Sequence, residues 1–184
     1  MKYIPNHLYF RLSIKNMSKK SLEKHLKSLD KVHLESLVME LYGKFPEVKT
    51  YFNFVFNPNE KKLLEQARIK VANEFFPIKR KRPKARRSIA QKYIKHFKTL
   101  GMSAELIIEF MWFNIGIMHT FCEERPQRLP FFKSFCNFYK EALQFSSYHQ
   151  VVPLYKDQIL AIYEASRAWE NAYDFEMSLQ SIDD

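Results

Sequence analysis

Apolar residues recur every three or four positions along most of this chain, which is the spacing of one face of an α-helix. The pattern runs from residue 18 to about residue 173, and each stretch begins at a residue that favours a helix start. These starts are Ser18, Asp30, Pro46, Asn57, Ser88, Ser103, Pro130 and Pro153. The sequence therefore predicts an all-α fold, a single-domain bundle of about eight helices with a helix content above about 60%.

The sixth predicted helix is apolar on nearly every side over residues 106–121, as expected of a central helix. Glu109, Asn114 and His119 interrupt it, and its 16 residues are too few to cross a bilayer of roughly 30 Å. We expect a buried core helix and no membrane segment. The inward stripes of its predicted neighbours are Leu64, Ala67, Val71 and Phe75 on the fourth helix, and Ile89, Tyr93, Ile94, Phe97 and Leu100 on the fifth.

The first 16 residues follow a different pattern. Leu8, Phe10, Leu12 and Ile14 alternate with polar residues at the period of a strand, and no second strand is predicted to pair with them. Two interpretations stay open: an extension that docks on the helices or on another chain, and a loosely ordered terminus. Met17, directly before the first helix, is an alternative start of translation.

The predicted organisation has three parts. An N-terminal extension covers residues 1–16, a helical domain covers residues 17–176, and an acidic tail covers residues 177–184. Within the domain, N-terminal helices occupy 17–76, a basic linker occupies 77–87 and lies between helices four and five, and C-terminal helices occupy 88–176.

Composition supports a packed helical core and excludes several kinds of site. The chain is 46% hydrophobic and 16% aromatic, which is enough for a core in 184 residues. Its three glycines lie too far apart to form a dinucleotide-binding turn or a phosphate loop. Cys122 and Cys136 lack the spacing of a redox or metal motif, so we expect reduced thiols in a cytoplasmic protein.

Positive charge is concentrated in one segment. Between Lys79 and Lys98 the chain has ten basic residues and no acidic one, whereas the other 164 residues balance 20 basic against 20 acidic side chains. The segment therefore accounts for the whole net charge of +10. Its members, hereafter the basic run, are Lys79, Arg80, Lys81, Arg82, Lys84, Arg86, Arg87, Lys92, Lys95 and Lys98.

Three interpretations of the basic run stay open. It could bind a polyanion, with Tyr93 and His96 close enough for stacking, and each phosphate contact would add roughly −0.9 to the salt slope of binding to duplex DNA. It could pair within the molecule, because the C-terminal segment has six acidic residues and a single basic one, Arg167. These acids are Glu164, Glu170, Asp174, Glu176, Asp183 and Asp184. It could also be a solvated loop.

Weaker candidate sites have structural interpretations that we favour. His119, Cys122, Cys136 and His149 are residue types that bind zinc, but their spacing favours core packing. Asp30 and His33 resemble half of a carboxylate–histidine metal pair, and the further Glu and His residues of a di-iron bundle are missing. Glu109 is either a buried acid with a raised pKa or, as we favour, an acid at a solvent edge or paired with a Lys or Arg.

Four stretches of the chain resemble a bacterial family of uncharacterised helical proteins, a domain of unknown function. They are SKKSL at 18–22, LESLVMELY at 34–42, FNPNE at 56–60, and EFFP at 74–77 followed by basic residues. The resemblance covers about residues 18–145. It implies an all-helical bacterial cytoplasmic protein and no particular activity.

These observations lead to one functional expectation and one alternative. No catalytic motif is found, so we expect a non-enzymatic protein without metal or cofactor that binds a polyanion, a nucleic acid or an acidic protein, through the basic run. The alternative is a protein interaction or scaffold protein whose basic run pairs with its own acidic C-terminal segment. A membrane partner is not expected.

Overall fold

A computed structural model describes residues 17–79 and 82–181, and 80% of this part of the chain is helical. The described residues form nine α-helices and no strand, which confirms the predicted all-α class, with one helix more than expected. The helices are α1 (Lys19–Ser28), α2 (Lys31–Lys44), α3 (Pro46–Phe56), α4 (Glu60–Phe75), α5 (Arg87–Leu100), α6 (Ala104–Glu124), α7 (Leu129–Tyr148), α8 (Lys156–Ser166) and α9 (Ala172–Gln180). The predicted N-terminal extension, residues 1–16, lies outside the described residues.

Side-chain caps set the first two helix starts. The Ser18 hydroxyl accepts a hydrogen bond from the Ser21 amide at 3.1 Å, and the Asp30 carboxylate accepts one from the His33 amide at 2.9 Å. Each bond satisfies an amide that has no partner within the helix. Gly101 ends α5 in the left-handed conformation at φ +76°, which glycine adopts without strain. All three caps agree with the sequence prediction.

The predicted eighth helix is divided in the structure. A 3-10 turn (Val152–Tyr155) precedes α8, and the chain then turns between Ser166 and Ala172 before α9 begins. Trp169 lies in this turn, stacked on Phe132 at a ring distance of 4.9 Å and edge-on to Phe175 at 5.1 Å. Packing of the half-buried indole against rings of α7 and α9 favours the turn over a continuous helix. α9 then continues to Gln180, past the predicted domain end at residue 176.

The starts of α4 and α5 each differ by two residues from the prediction. α4 begins at Glu60 after Asn59, and not at Pro58. The Glu60 carboxylate instead accepts a hydrogen bond from the Ser103 amide at 2.9 Å, so it serves the start of α6. A carboxylate there also interacts favourably with the positive end of the α6 dipole. α5 begins at Arg87, two residues before Ile89, the first helical position expected with Ser88 as the cap.

The chain divides into two compact units, Met1–Phe56 and Asn57–Asp184. In the first unit α2 packs on α3, with the Tyr42 and Phe52 rings 6.4 Å apart. None of the described residues of α1, α2 and α3 is buried, so positions predicted to point inward, such as Leu22, Val38 and Leu41, remain 38–43% exposed. The single domain over residues 17–176 stays a prediction.

The second unit contains the buried core, and α6 lies at its centre. α6 packs against α4, α5 and α7, and Phe110, Met111 and Ile115 on it are fully buried. α7 also packs against α9, and α8 packs against α9. The predicted central helix and the buried stripe of α4 are both confirmed. Within residues 17–79 and 82–181, no helix is long and apolar enough to cross a membrane.

Candidate functional site

The described residues of the basic run lie in the linker that follows α4 and along α5. Eight of its ten residues are described, whereas Arg80 and Lys81 lie outside the described residues. Arg86 and Arg87 contact other helices through their guanidinium groups, and Lys98 contacts α7 through its ammonium group. The contacts of Arg86 and Arg87 fix the start of α5 and therefore the position of the cations that follow.

Arg86 is bound to Glu74 near the end of α4. Its Nε donates to Glu74 Oε2 at 2.8 Å and its Nη2 donates to Glu74 Oε1 at 3.1 Å, a bidentate pair. Hydrogen bonding to this carboxylate raises the pKa of Arg86. The backbone amides of Lys84 and Ala85 also donate to the Glu74 carbonyl, at 3.0 and 2.9 Å. Glu74 therefore holds the end of the linker through both its carboxylate and its backbone.

Arg87 lies against α7. Its guanidinium is 5.8 Å from the centre of the Phe138 ring, a cation–π contact. Burial lowers the pKa of Arg87, and the charge of Glu141 partly offsets that effect. Further along α5, the Lys98 ammonium lies 4.3 Å from the centre of the Phe145 ring. Arg87 is thus a packing residue as well as a cation.

The other described cations of the basic run face solvent. They are Lys79, Arg82, Lys84, Lys92, Lys95 and Lys98. Within the described part of the chain, none of these six forms an ion pair. Lys92, Lys95 and Lys98 follow one another at three-residue intervals on α5, so each is about 4.5 Å further along the helix axis. α5 itself has no acidic residue to offset them.

α4 adds to the positive surface, which the sequence did not lead us to expect. Each of its three acids is engaged: Glu60 with the Ser103 amide, Glu65 with Arg68 at 3.9 Å, and Glu74 with Arg86. The exposed lysines of α4 are Lys61, Lys62 and Lys70. None of them forms an ion pair with a described residue. Helix spacing indicates the Glu65–Arg68 pair, but no sequence signal indicates the contacts of Glu60 and Glu74, because their partners lie outside α4.

A groove runs between α4 and α5 beside these lysines. Two adjoining cavities of about 360 and 330 Å³ share Lys70, Tyr93 and His96 as lining residues. Ile89 and Tyr93 were predicted to be core residues of α5, but both are half-buried because they form the wall of this groove. Ile94, Phe97 and Leu100 are buried as predicted, and Ala90 is buried with them.

A second groove, between α5 and α7, has a similar balance of charge and less apolar lining. It has a volume of about 490 Å³, and Lys95 and Lys98 line it together with Glu141. The carboxylate of Glu141 offsets part of the lysine charge there. Ile94 is the one aliphatic side chain among its described lining residues, whereas the α4–α5 groove has three.

The acidic C-terminal segment was the alternative partner of the basic run. Glu164 pairs with Arg167 at 3.0 Å on α8. In the described ranges, no ion pair joins the basic run to Glu164, Glu170, Asp174 or Glu176. Asp183 and Asp184 lie outside those ranges. Pairing between the two segments stays a prediction.

Glu109 is paired with an arginine at a solvent edge, which confirms the interpretation that we favoured. Its Oε1 accepts a hydrogen bond from Arg68 Nη2, and its side chain is 47% exposed. Arg68 also lies 5.1 Å from the centre of the Phe113 ring. This arrangement is a surface ion pair and not a catalytic acid held in a pocket.

The residues with metal-ligand chemistry make packing or capping contacts. The Cys136 thiol lies 3.6 Å from the Ser178 hydroxyl, and the His149 ring packs on Phe145 at 4.7 Å. His33 Nδ1 is 2.7 Å from the Asp30 carboxylate, within the α2 cap. Over residues 17–79 and 82–181, no three His, Cys, Asp or Glu residues converge where they could hold a metal ion.

Comparison with known proteins gives a family and no activity. No curated protein matches the chain, and no solved structure matches it. A family model described as a family of unknown function, DUF6155, matches residues 17–183. The match extends well past residue 145, the end of the region over which the sequence resemblance was recognised. It leaves out only the first 16 residues and the last one, and the chain therefore belongs to this family.

Proposed function

We propose that this protein is a non-enzymatic binding protein whose ligand is a polyanion, a nucleic acid or an acidic protein. One observation carries the proposal. Six cations of the basic run face solvent without an ion pair among the described residues, while the three acids of the adjacent α4 are engaged elsewhere. The free energy of such a surface falls when an anion approaches, because the anion reduces the repulsion between neighbouring cations.

The contact residues follow from exposure. Lys79, Arg82, Lys84, Lys92, Lys95 and Lys98 are available to a ligand, and Arg80 and Lys81 are included from the sequence. Arg86 and Arg87 have a different role, since their contacts with Glu74 and Phe138 hold the linker and the start of α5 in place. We also infer a cytoplasmic, bacterial protein, in line with two cysteines that are both free thiols.

A salt titration tests the proposal directly. Binding of duplex DNA, single-stranded RNA and poly-glutamate is measured by fluorescence anisotropy between about 50 and 500 mM salt. A variant with all six exposed cations changed to Gln should bind nucleic acid more weakly, and its salt slope should fall by up to about five because fewer counterions are released. Its circular dichroism spectrum should match the wild type.

A matched control removes the same charge elsewhere. Six exposed lysines outside the basic run, all without ion pairs in the described part of the chain, are changed to Gln: Lys19, Lys20, Lys24, Lys133, Lys140 and Lys156. This control should keep most of the binding. Equal losses in both variants would show a nonspecific effect of net charge. Absence of binding to all three polyanions at low salt would refute the proposal.

A second candidate, a protein interaction or scaffold role, is favoured by exposed apolar side chains in the first unit. Val32, Met39 and Phe56 are 71%, 65% and 81% exposed. Val32 and Met39 are seven residues apart on one face of α2, and contiguous exposed apolar surface often marks a contact site. This candidate predicts self-association in sedimentation experiments that persists at high salt and is lost in a Met39→Ser, Phe56→Ser variant.

A further inference from the structure

The groove between α4 and α5 combines an apolar floor with cations on both sides. The α4 side is formed by Leu63, Gln66, Ile69, Lys70 and Glu74, and the α5 side by Ile89, Lys92, Tyr93, His96 and Phe97. Residues 63 and 74 are three helical turns apart, so the groove extends about 16 Å along the helices. That length matches three turns of a helix lying in the groove.

Apolar surface is exposed in this groove. Ile69 is 52% exposed, and Ile89 and Tyr93 are half-buried. The Tyr93 ring is held in place by an edge-on contact with Phe110 at 6.3 Å and a tilted contact with Phe97 at 6.0 Å. A ligand that covers Ile69 and the free edge of Tyr93 removes apolar area from water, which stabilises the complex.

The charges of the groove favour an anionic ligand. Lys70 and Lys92 come from opposite sides, and neither forms an ion pair in the described part of the chain. Glu74 also lines the groove, but its carboxylate is bound to Arg86 at 2.8 Å. The groove between α5 and α7 also has two lysines and one glutamate, but it lacks the apolar floor, since Ile94 is the one aliphatic side chain among its described lining residues.

The floor discriminates between two kinds of anion. Nonspecific binding of single-stranded nucleic acid uses aromatic faces on which bases stack. In this groove the rings of Tyr93 and His96 both pack against Phe97, at 6.0 and 6.3 Å, and the rest of the apolar floor is aliphatic. An amphipathic helix has apolar residues at positions i, i+3, i+4 and i+7 that fill such a floor, and flanking Asp or Glu residues reach the lysines. We propose that the α4–α5 groove is the docking site for an acidic amphipathic helix of a protein partner. This inference rests on the proposed function and specifies the partner for this part of the basic surface.

Two peptides of identical composition provide the test. Both have about 16 residues of Leu and Glu; one has Leu at the helical positions i, i+3, i+4 and i+7, and the other has a scrambled order without that period. We expect the periodic peptide to bind at least about tenfold more tightly in anisotropy measurements at equal salt. Hydrogen exchange on the wild-type protein should show protection in 63–70 and 89–97 with the periodic peptide.

Ile69→Ser tests the floor without touching a cation. The side chain is already half exposed, so the variant should fold, and it should lose about tenfold in affinity for the periodic peptide. Oligo(dT) and the scrambled peptide should bind as before. Leu160→Ser on α8, which removes an apolar side chain that is 44% exposed, is the matched control and should bind like the wild type.

The outcomes separate this inference from the proposed function. Equal affinity of the two peptides, or no effect of Ile69→Ser, would overturn the helix-docking inference while salt-dependent binding of oligo(dT) or poly-glutamate would still support the proposed function. Loss of oligo(dT) binding in Ile69→Ser would instead assign the groove to nucleic acid. Absence of binding by every anionic probe at low salt would refute both.

Discussion

Cys122 on α6 is a half-buried thiol, and burial raises its pKa to about 12 from an ordinary value of 9.0. At pH 8 its thiolate fraction is then about a thousandfold below that of an unperturbed thiol. Iodoacetamide should therefore alkylate Cys122 very slowly in the folded protein and rapidly in guanidinium, as measured by peptide mass spectrometry. Similar rates in the two states would contradict the raised pKa.

The same pKa shift has a defined effect on stability. The thiol is protonated in the folded protein up to about pH 12, whereas the unfolded chain releases this proton near pH 9. Rising pH in this range therefore favours the unfolded state. The contribution of the Cys122 thiol to stability is complete below about pH 9 and is lost progressively between pH 9 and pH 12. A Cys122→Ala variant should lose less stability than the wild type between pH 9 and pH 12.

Glu74 is the residue on which the linker depends. Glu74→Gln removes the charge that holds Arg86 and should leave the end of the linker less firmly attached to α4. Trypsin should then cleave after Lys84 several-fold faster than in the wild type, whereas Pro83 blocks cleavage after Arg82 in every variant. Glu65→Gln changes an exposed acid on the same helix and serves as the control. Equal cleavage rates in the wild type and both variants would show that the pair does not restrain the linker.

At the scale of single elements, α6 dominates the core. Met111 is fully buried at the centre of this helix, so Met111→Ala should lower the free energy of unfolding by roughly 2 to 5 kcal/mol through lost burial and a residual cavity. Met177→Ala on α9 removes the same side chain where it is 45% exposed, and it should change stability by less than about 0.5 kcal/mol. Chemical denaturation of both variants provides the measurement.

Helical periodicity predicted the elements well and their packing only in part. It identified the buried stripe of α4 and the central α6, because a continuous apolar face must be covered. It did not identify the turn before α9, since Trp169 packs on Phe132, which is 37 residues earlier in the chain. It also assigned Ile89 and Tyr93 to the core, because periodicity gives the direction of a side chain and not the distance to the neighbouring helix.

The candidate site was predictable as a concentration of charge and not as a surface. The sequence places ten cations within 20 residues, but the roles of Arg86 and Arg87 depend on Glu74 and Phe138, which only the fold brings near. The groove between α4 and α5 likewise depends on how closely the two helices pack. Spacing along one helix has no information about that separation.

At the scale of the whole molecule, burial differs between the two compact units. None of the described residues in α1, α2 and α3 is buried, whereas the second unit contains a core of large side chains such as Trp112 and Phe135. Amides in α1–α3 should therefore exchange at least about tenfold faster than those in α6 and α7, relative to their intrinsic rates. Hydrogen exchange with mass spectrometry provides the measurement, and equal protection in the two units would contradict the prediction.

The double attachment of the linker to Glu74 also bears on how its length can change. The amides of Lys84 and Ala85 donate to the Glu74 carbonyl, so the two ends of the segment between Glu74 and Lys84 are joined by hydrogen bonds and the segment is a closed loop. The entropy of closing a loop grows only with the logarithm of its length, and each doubling costs about 0.6 kcal/mol. Insertions between Ile78 and Arg82 should therefore leave the start of α5 in place and cost less than about 1 kcal/mol. Members of the family are accordingly expected to differ in length in this segment, while the attachment at its ends is retained.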